Sequence, residues 1–226
     1  MDVMNVMKVK KHKKEASIDS VLIENEGYFK FKRLLDIVGA ILGLLALTPV
    51  FLLVALLIKM EEPAGPIFFK QLRVGKDKTP FYMFKFRSMC VDAEAKLEEL
   101  LESSDVKGAM FKMKEDPRIT RIGRFIRKTS IDELPQLWNV LRGEMSLVGP
   151  RPPLPREVEQ YTTYDEQRLR IIPGCTGLWQ VSGRNNLDFE EMVELDIYYI
   201  KNISLSQDAK IVLKTFAVLL GDDGAY

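Results

Sequence analysis

Histidine is nearly missing from this chain: its 226 residues contain one, His12, within the lysine-rich stretch Lys8 to Lys14. That stretch reads as a disordered or membrane-surface tail rather than an active site. Ser-His-Asp, Cys-His and histidine-ligated metal mechanisms therefore lack their central residue, which leaves carboxylates, Lys, Arg and a hard cation as the chemical tools. Cysteine is almost as scarce. Cys90 and Cys175 lie far apart with no CxxC spacing, which argues against a zinc site and suggests structural, reduced thiols in a cytosolic setting. Net charge is also lacking, with 33 Lys and Arg against 32 acids. The chain as a whole has no electrostatic attraction to nucleic acid, so no nucleic-acid partner is expected and any basic site must be local. Repeats and long low-complexity linkers are absent as well, and the 46% apolar content suits one sizeable domain with an appendage.

What is abundant is an uncharged run. Ile37 to Ile58 contains 22 residues without a charge, about 33 Å as a helix and close to the hydrocarbon thickness of a bilayer. It starts too late and runs too long for a signal peptide. Pro49, preceded by Thr48, sits in its middle and invites a kink. Lys30, Lys32 and Arg33 precede the run, while Lys59, Lys70, Arg73, Lys76 and Lys78 follow it, so the positive-inside rule draws both flanks to the cytosol. A helix bent at Thr48-Pro49 that enters and leaves by the same face resolves this conflict, with the Thr hydroxyl partly satisfying the freed backbone carbonyls. The alternative is a kinked single span.

Beyond the run, Pro66 to Met89 shows apolar-basic alternation in Phe84-Lys85-Phe86-Arg87 and reads as short strands or extended segments. Lys85 and Arg87 either line a solvated edge or point into an anion site. Asp92 can cap a surface helix reaching about Leu101. From Thr120 to Lys128 the apolar Ile122, Phe125 and Ile126 share a face, with Arg121, Arg124 and Arg127 forming a neighbouring basic stripe. That stripe, with Arg118 ahead of it, leads into Ser130 to Gln136, SIDELPQ, where Asp132 and Glu133 stand side by side. A carboxylate pair beside concentrated positive charge can act on an anionic, phosphorylated substrate as nucleophile, base or magnesium ligand. A capping box of Ser130 and Glu133 accounts for the same residues structurally. If the cap is as late as Asp132, Pro135 takes the third helical position and the Asp132 carboxylate is more exposed than a capping box requires. The following helix, with Leu134, Leu137, Trp138 and Leu141, stops at Gly143. Gly149-Pro150-Arg151-Pro152-Pro153 reads as a rigid turn, and Pro173 to Arg184 as a glycine-rich loop around Trp179. Ser206 is the expected cap of a last helix through Leu220, which lies in the core or on a membrane interface.

Taken together, KRLLDIVGA, FKFRSM, DPRITRIGRFIRKTSIDELPQLWNVLRGEMSLVGPRP, PGCTGLWQVSGR and the ending near ELDIYYIKN and GAY resemble the bacterial sugar transferases, the monotopic phosphoglycosyl transferases. The resemblance covers about Phe31 to Tyr226. It implies a monotopic α-rich α+β protein of the bacterial inner membrane, divided as a basic tail over 1–29, a kinked re-entrant membrane helix over 30–60 and a small cytosolic catalytic domain over 61–226. It implies an enzyme that moves a sugar 1-phosphate from a UDP-sugar, UDP-galactose or UDP-glucose in preference to an N-acetylated sugar, to undecaprenyl phosphate. UMP is released and assembly of a surface polysaccharide begins. Asp132 is implied as the nucleophile of a covalent phosphosugar enzyme and a contact for Mg²⁺, with Glu133 assisting proton transfer or positioning the attacking phosphate. Lys85, Arg87, Arg127, Arg151 and Arg184 match positions lining the phosphate and nucleotide site, and Thr48-Pro49 stands where the family has a helix-breaking Ser-Pro. Two successive displacements at one site imply ping-pong kinetics. Larger relatives carry further N-terminal membrane helices and another domain, so the chain is expected to be the catalytic core. A homodimer stands open. The competing class is a non-catalytic scaffold docked on anionic lipid, with Asp132 and Glu133 serving as a cap alone.

Overall fold

The computed structural model describes residues 17–93, 95, 116–183 and 187–221. The expected helix from Asp92 to Leu101, the His12 tail, Arg184 and the GAY terminus lie wholly or mainly outside them. Ser17 caps a first short helix, α1, Ile18–Glu24, and one long helix follows, α2, Glu26–Glu61. A hairpin comes next, β1, Phe68–Val74, paired antiparallel with β2, Pro80–Phe86. The remainder is mostly helical: α3, Arg121–Lys128; α4, Gln136–Arg142; α5, Pro155–Val158; α6, Phe189–Lys201; and α7, Leu205–Gly221. A second two-stranded sheet pairs β3, Ser146–Val148, in parallel with β4, Gly174–Thr176.

At 36 residues α2 is about 54 Å long, and it is long and apolar enough to cross a membrane. Pro49 lies inside it without ending it, so the break expected at Thr48-Pro49 does not divide the element. The hydroxyl of Thr48 does donate back to the Leu44 carbonyl at 2.9 Å, a local bond that tends to bend a helix while leaving its ladder in place. One stripe of α2 is buried at helical spacing, with Lys32, Asp36, Ala40, Val54 and Ile58 turned to the rest of the molecule. The opposite stripe exposes Leu34, Leu42, Leu45, Leu52 and Leu56.

Both ends of α2 are fastened to the same body. Near its start, Arg33 donates to the Val140 and Leu141 carbonyls at 2.5 and 2.8 Å, capping the C-terminus of α4, and Asp36 accepts from the Leu147 amide at 2.9 Å. At its end, the Glu61 carboxylate accepts from the Arg121 and Ile122 amides at 2.7 and 3.0 Å, the first turn of α3. Between these anchors Val50, Phe51, Val54 and Ile58 pack on Phe86, Ile126 and Ile131. The last helix is capped by Ser204, whose hydroxyl accepts from the Gln207 amide at 3.2 Å. Ser206, the expected cap, lies within the helix because the chain turns helical one residue after Ser204. α7 turns Ile211 into the core, while Leu213 and Phe216 are exposed.

Candidate active site

The site is assembled by three local decisions. Thr120 caps α3, accepting from the Gly123 amide at 2.9 Å, and Gly123 lets that helix lie directly on the backbone of Ser88. A Cβ at position 123 would come within 1.9 Å of the Ser88 carbonyl oxygen. With α3 seated there, Arg127 Nε reaches Ser88 Oγ at 3.0 Å. The chain then reverses through Ser130, a non-glycine residue in the left-handed region with φ of 54°, a conformation that stores about 1–3 kcal/mol of strain. A 3-10 turn over Ile131–Glu133 follows, and α4 begins only at Gln136.

This geometry corrects the capping-box expectation. Ser130 makes no side-chain cap bond, because a left-handed residue does not aim its hydroxyl at the amides of the turn it precedes. Glu133 turns instead to Lys85 Nζ at 2.7 Å and Arg151 Nη2 at 3.3 Å. The expected exposure of Asp132 is corrected as well, since Asp132 is 7% exposed. The turn tucks it inward instead of holding it at a helix end.

The two carboxylates differ sharply. Burial opposes ionisation of Glu133, but Lys85 and Arg151 outweigh it and hold its carboxyl well below the usual range. Burial pushes the Asp132 carboxyl up to about 6, with Lys85 pulling the other way, the Glu133 charge adding to the rise, and Arg127 and Arg151 offsetting part of it. Lys85 is itself pushed down by burial, against the attraction of Glu133. The Asp132 carboxylate takes no hydrogen bond from any described residue, whereas Glu133 is committed to its two cations. Asp132 is thus the open group, ionised at neutral pH and held by surrounding charge rather than by bonds.

Of the sequence-derived residues, Lys85, Arg127 and Arg151 converge with Asp132 and Glu133. Arg87 does not join them by any bond: it is buried and forms an ion pair with Glu62 at the end of α2, also donating to the Glu62 carbonyl at 3.2 Å. Alternation along β2 places Lys85 and Arg87 on one face, but β2 ends at Phe86, so the chain carries Arg87 toward α2. Arg118 pairs with Asp116 at 2.6 Å, a structural ion pair.

Two residues that pattern reading passed over hold the site in place. Buried Arg73 donates to the Pro152 carbonyl at 2.9 Å and to Gln71 Oε1 at 2.6 Å, pinning the proline turn that presents Arg151. Burial, reinforced by the Arg151 charge, pushes its pKa down to about 10. Asn139, fully buried, accepts from the Phe84 amide at 3.0 Å and donates to the Tyr82 carbonyl and Glu144, locking α4 to β2 and so Glu133 to Lys85. Gln136, one turn before it and 2% exposed, leaves its Nε2 without a partner. SIDELPQ contains Gln136, but no pattern marks a buried amide as unsatisfied.

Both cysteines are without disulfides, and burial followed by the Glu133 charge raises the Cys175 thiol, keeping it protonated and inert. Among the described residues no three of His, Cys, Asp and Glu cluster into a protein-only metal cage. Mg²⁺ does not need one, since it is usually held by one or two carboxylates with waters and substrate phosphates. An ionised, unbonded Asp132 carboxylate fits that requirement.

A family model described as bacterial sugar transferase matches residues 27–222. The chain is 50% identical over 214 residues to a galactosyl transferase, CpsE, of Streptococcus agalactiae, covering 91% of this chain and 47% of that protein. It is 47% identical over 199 residues to an undecaprenyl-phosphate galactose phosphotransferase of Salmonella typhimurium, covering 86% and 41%. It is 40% identical over 210 residues to a UDP-N-acetylgalactosamine-undecaprenyl-phosphate N-acetylgalactosaminephosphotransferase of Aeromonas hydrophila, covering 90% and 47%. The chain spans less than half the length of these relatives.

Proposed function

The chain belongs to the bacterial sugar transferase family, and from that premise we propose that it transfers a sugar 1-phosphate from a UDP-sugar to undecaprenyl phosphate through a phosphosugar ester on Asp132. The observation that carries this reading is the buried Asp132 carboxylate, which takes no hydrogen bond from a described residue and is set among Lys85, Arg127 and Arg151. In the first step a carboxylate oxygen of Asp132 attacks the phosphorus that bears the sugar. The bond from that phosphorus to the bridging oxygen breaks, and UMP leaves with the electron pair. In the second, a phosphate oxygen of undecaprenyl phosphate attacks the same phosphorus and displaces the carboxylate, which restores the enzyme and yields the lipid-linked sugar diphosphate. Lys85, Arg127 and Arg151 offset the charge that otherwise repels an anionic nucleophile from an anionic donor. Asp132 is the residue that would hold Mg²⁺, and the ion would supply the remaining neutralisation of the donor phosphates. Glu133, held ionised by its cations, positions Lys85 and Arg151 rather than moving a proton.

The seat of the enzyme in this proposal is the cytosolic face of the bacterial inner membrane. Its support is the fastening of both ends of α2 to one body, with an apolar stripe left outward along the length between them. A helix lying in one leaflet can do this, whereas a crossing helix carries its two ends to opposite sides. Labelling single cysteines placed at Lys14 and Lys78 from outside intact cells tests it: neither should react.

The deciding experiment incubates the full chain with undecaprenyl phosphate, Mg²⁺ and a panel of UDP-galactose, UDP-glucose and UDP-N-acetylgalactosamine. UMP should be released with one of the two hexoses, and omission of the acceptor should leave a hexose-phosphate mass on the peptide containing Asp132. Turnover with the N-acetylated donor alone would move the donor assignment. No UMP from any donor would favour the lipid-docked scaffold.

A further inference from the structure

A cavity of about 300 Å³ lies away from Asp132, between the start of α2, the β1–β2 turn and the segment around Arg170. Its volume is far above the ~10–15 Å³ that one water needs and at the low end of small-molecule sites. Arg33, which lines it, caps the C-terminal carbonyls of α4, whereas Asp132 precedes the N-terminus of that helix. Seven residues of helix, about 10 Å, separate the two places.

The lining combines three kinds of group. Leu22, Phe29, Ile171 and Ile172 are apolar. Arg33 and Lys76 are cations with no carboxylate partner among the described residues, and Arg33 uses two of its five N–H donors on backbone carbonyls. Asp36 is a buried anion whose one described bond comes from a backbone amide. The remaining charges are already matched: Lys32 is paired with Asp208, Arg170 with Asp19, and Glu26 with Lys30. What is left over is therefore positive charge at Lys76 and Arg33 and negative charge at Asp36.

Lys76 is placed there at a cost. The turn that carries it holds Asp77 and Lys78 at φ of 49° and 63°, strained for non-glycine residues. Lys78 is drawn aside to Glu166 at 2.6 Å, which leaves Lys76 at the cavity. The cavity also sits just before Ile37, where the uncharged run begins. Phe31, Leu34, Leu35 and Val38 are exposed on the other side of the same turns of α2, so the opening lies at the level where an apolar surface meets the polar domain.

We propose that this cavity binds the headgroup of a zwitterionic membrane phospholipid, a phosphate diester bearing a primary ammonium. The phosphate lies against Lys76 and Arg33, the ammonium against Asp36, and the glycerol end against the leucine, phenylalanine and isoleucines. Charge of both signs in one apolar-walled site suits such a headgroup better than a purely anionic one, which would leave Asp36 opposed to it. The site is separate from catalysis and orients the start of α2 at the lipid surface.

The test is calorimetric titration of the full chain in a neutral detergent with dihexanoylphosphatidylethanolamine, dihexanoylphosphatidylglycerol and O-phosphoethanolamine. The ethanolamine lipid should bind saturably and about tenfold tighter than the glycerol lipid, and O-phosphoethanolamine should bind more weakly than its diacyl form. Lys76→Ala, an exposed turn position, should weaken binding by about tenfold, the loss expected for one charge-assisted contact. Asp36→Asn, which keeps an acceptor for Leu147, should abolish the preference for ethanolamine; if it does not fold, the Lys76 comparison decides alone. Equal affinity of Lys76→Ala and the unaltered chain, or glycerol lipid binding as tightly as ethanolamine lipid, overturns the proposal. Asp132→Asn should bind the lipid unchanged, and loss of binding there would place the lipid at the catalytic site instead. This arm also separates the proposal from the phosphotransfer reading, since either can fail without the other.

Discussion

Two of the buried charge clusters among the described residues differ in one respect. At the start of α2, Asp208 accepts from Tyr28 at 2.8 Å, Lys32 at 2.9 Å and Tyr199 at 2.7 Å. Its carboxylate accepts three hydrogen bonds, and the cluster clamps α2 to α6 and α7. Around Lys85, Glu133 is likewise engaged, but its neighbour Asp132 is surrounded by charge without accepting a hydrogen bond from any described residue. A buried carboxylate whose two oxygens are both tied to neighbouring helices by hydrogen bonds is a structural joint. One held by long-range charge alone is available for a bond to something else, and the raised pKa of Asp132 records the cost of keeping it so.

The most direct way to break this comparison is to neutralise each acid. Asp132→Asn should lower UMP release by at least about a thousandfold, as expected for a lost nucleophile, with no fall in thermal midpoint. Asp208→Ala should do the reverse, costing about 3–5 kcal/mol of stability, because it leaves Lys32 buried without its counter-ion. Turnover per folded molecule should change little, so scanning calorimetry beside a UMP assay separates the two. A loss of stability in Asp132→Asn would mean that the two clusters are alike.

Lys85→Met removes the largest charge favouring ionisation of Asp132. Turnover should fall by roughly a hundredfold, and the rising limb of the pH–rate profile, expected near 6 in the unaltered chain, should move to higher pH. An unshifted limb would detach that titration from Asp132.

Gly123→Ala tests the seating of α3. Its Cβ meets the Ser88 carbonyl, so the helix must move and take Arg127 with it. About a tenfold loss of turnover and ~1–3 kcal/mol of stability are expected, and unchanged kinetics would show that Arg127 is not required where it stands.

The smallest effect is on stability against pH. A carboxyl whose folded pKa is raised from 3.8 to about 6 is protonated in both states below pH 4, and its contribution to stability is lost as pH rises through 6. The thermal midpoint of Asp132→Asn relative to the unaltered chain should therefore rise between about pH 4 and 6 and then level off. A flat difference would contradict the raised value.

Some of this was readable locally. The buried face of Ile122 and Ile126, and Gly143 as a stop, are decided within a few residues, where side-chain spacing and backbone preference act, whereas Phe125, expected on that same face, is exposed. Other local signals misled for an equally local reason. Ser130-x-x-Glu133 has the spacing of a capping box, but the left-handed turn at Ser130 redirects the hydroxyl, and two cations distant in the chain capture the glutamate. Ser206 lost its expected role to Ser204 by a shift of two residues, a margin that pattern alone does not resolve.

By itself the sequence determined that catalysis without histidine must use carboxylate and cation chemistry, that one long apolar helix exists, and that Asp132 and Glu133 lie next to a basic helix. These follow from residue type and nearest-neighbour spacing. Only the tertiary structure decided which of the two acids is open and which cations serve it. Lys85 comes from a strand, Arg151 from a turn pinned by Arg73, and Arg127 from a helix seated on Ser88, while Arg87 is diverted to Glu62. Charge–charge energies depend on distance and burial, and neither is a property of position along the chain.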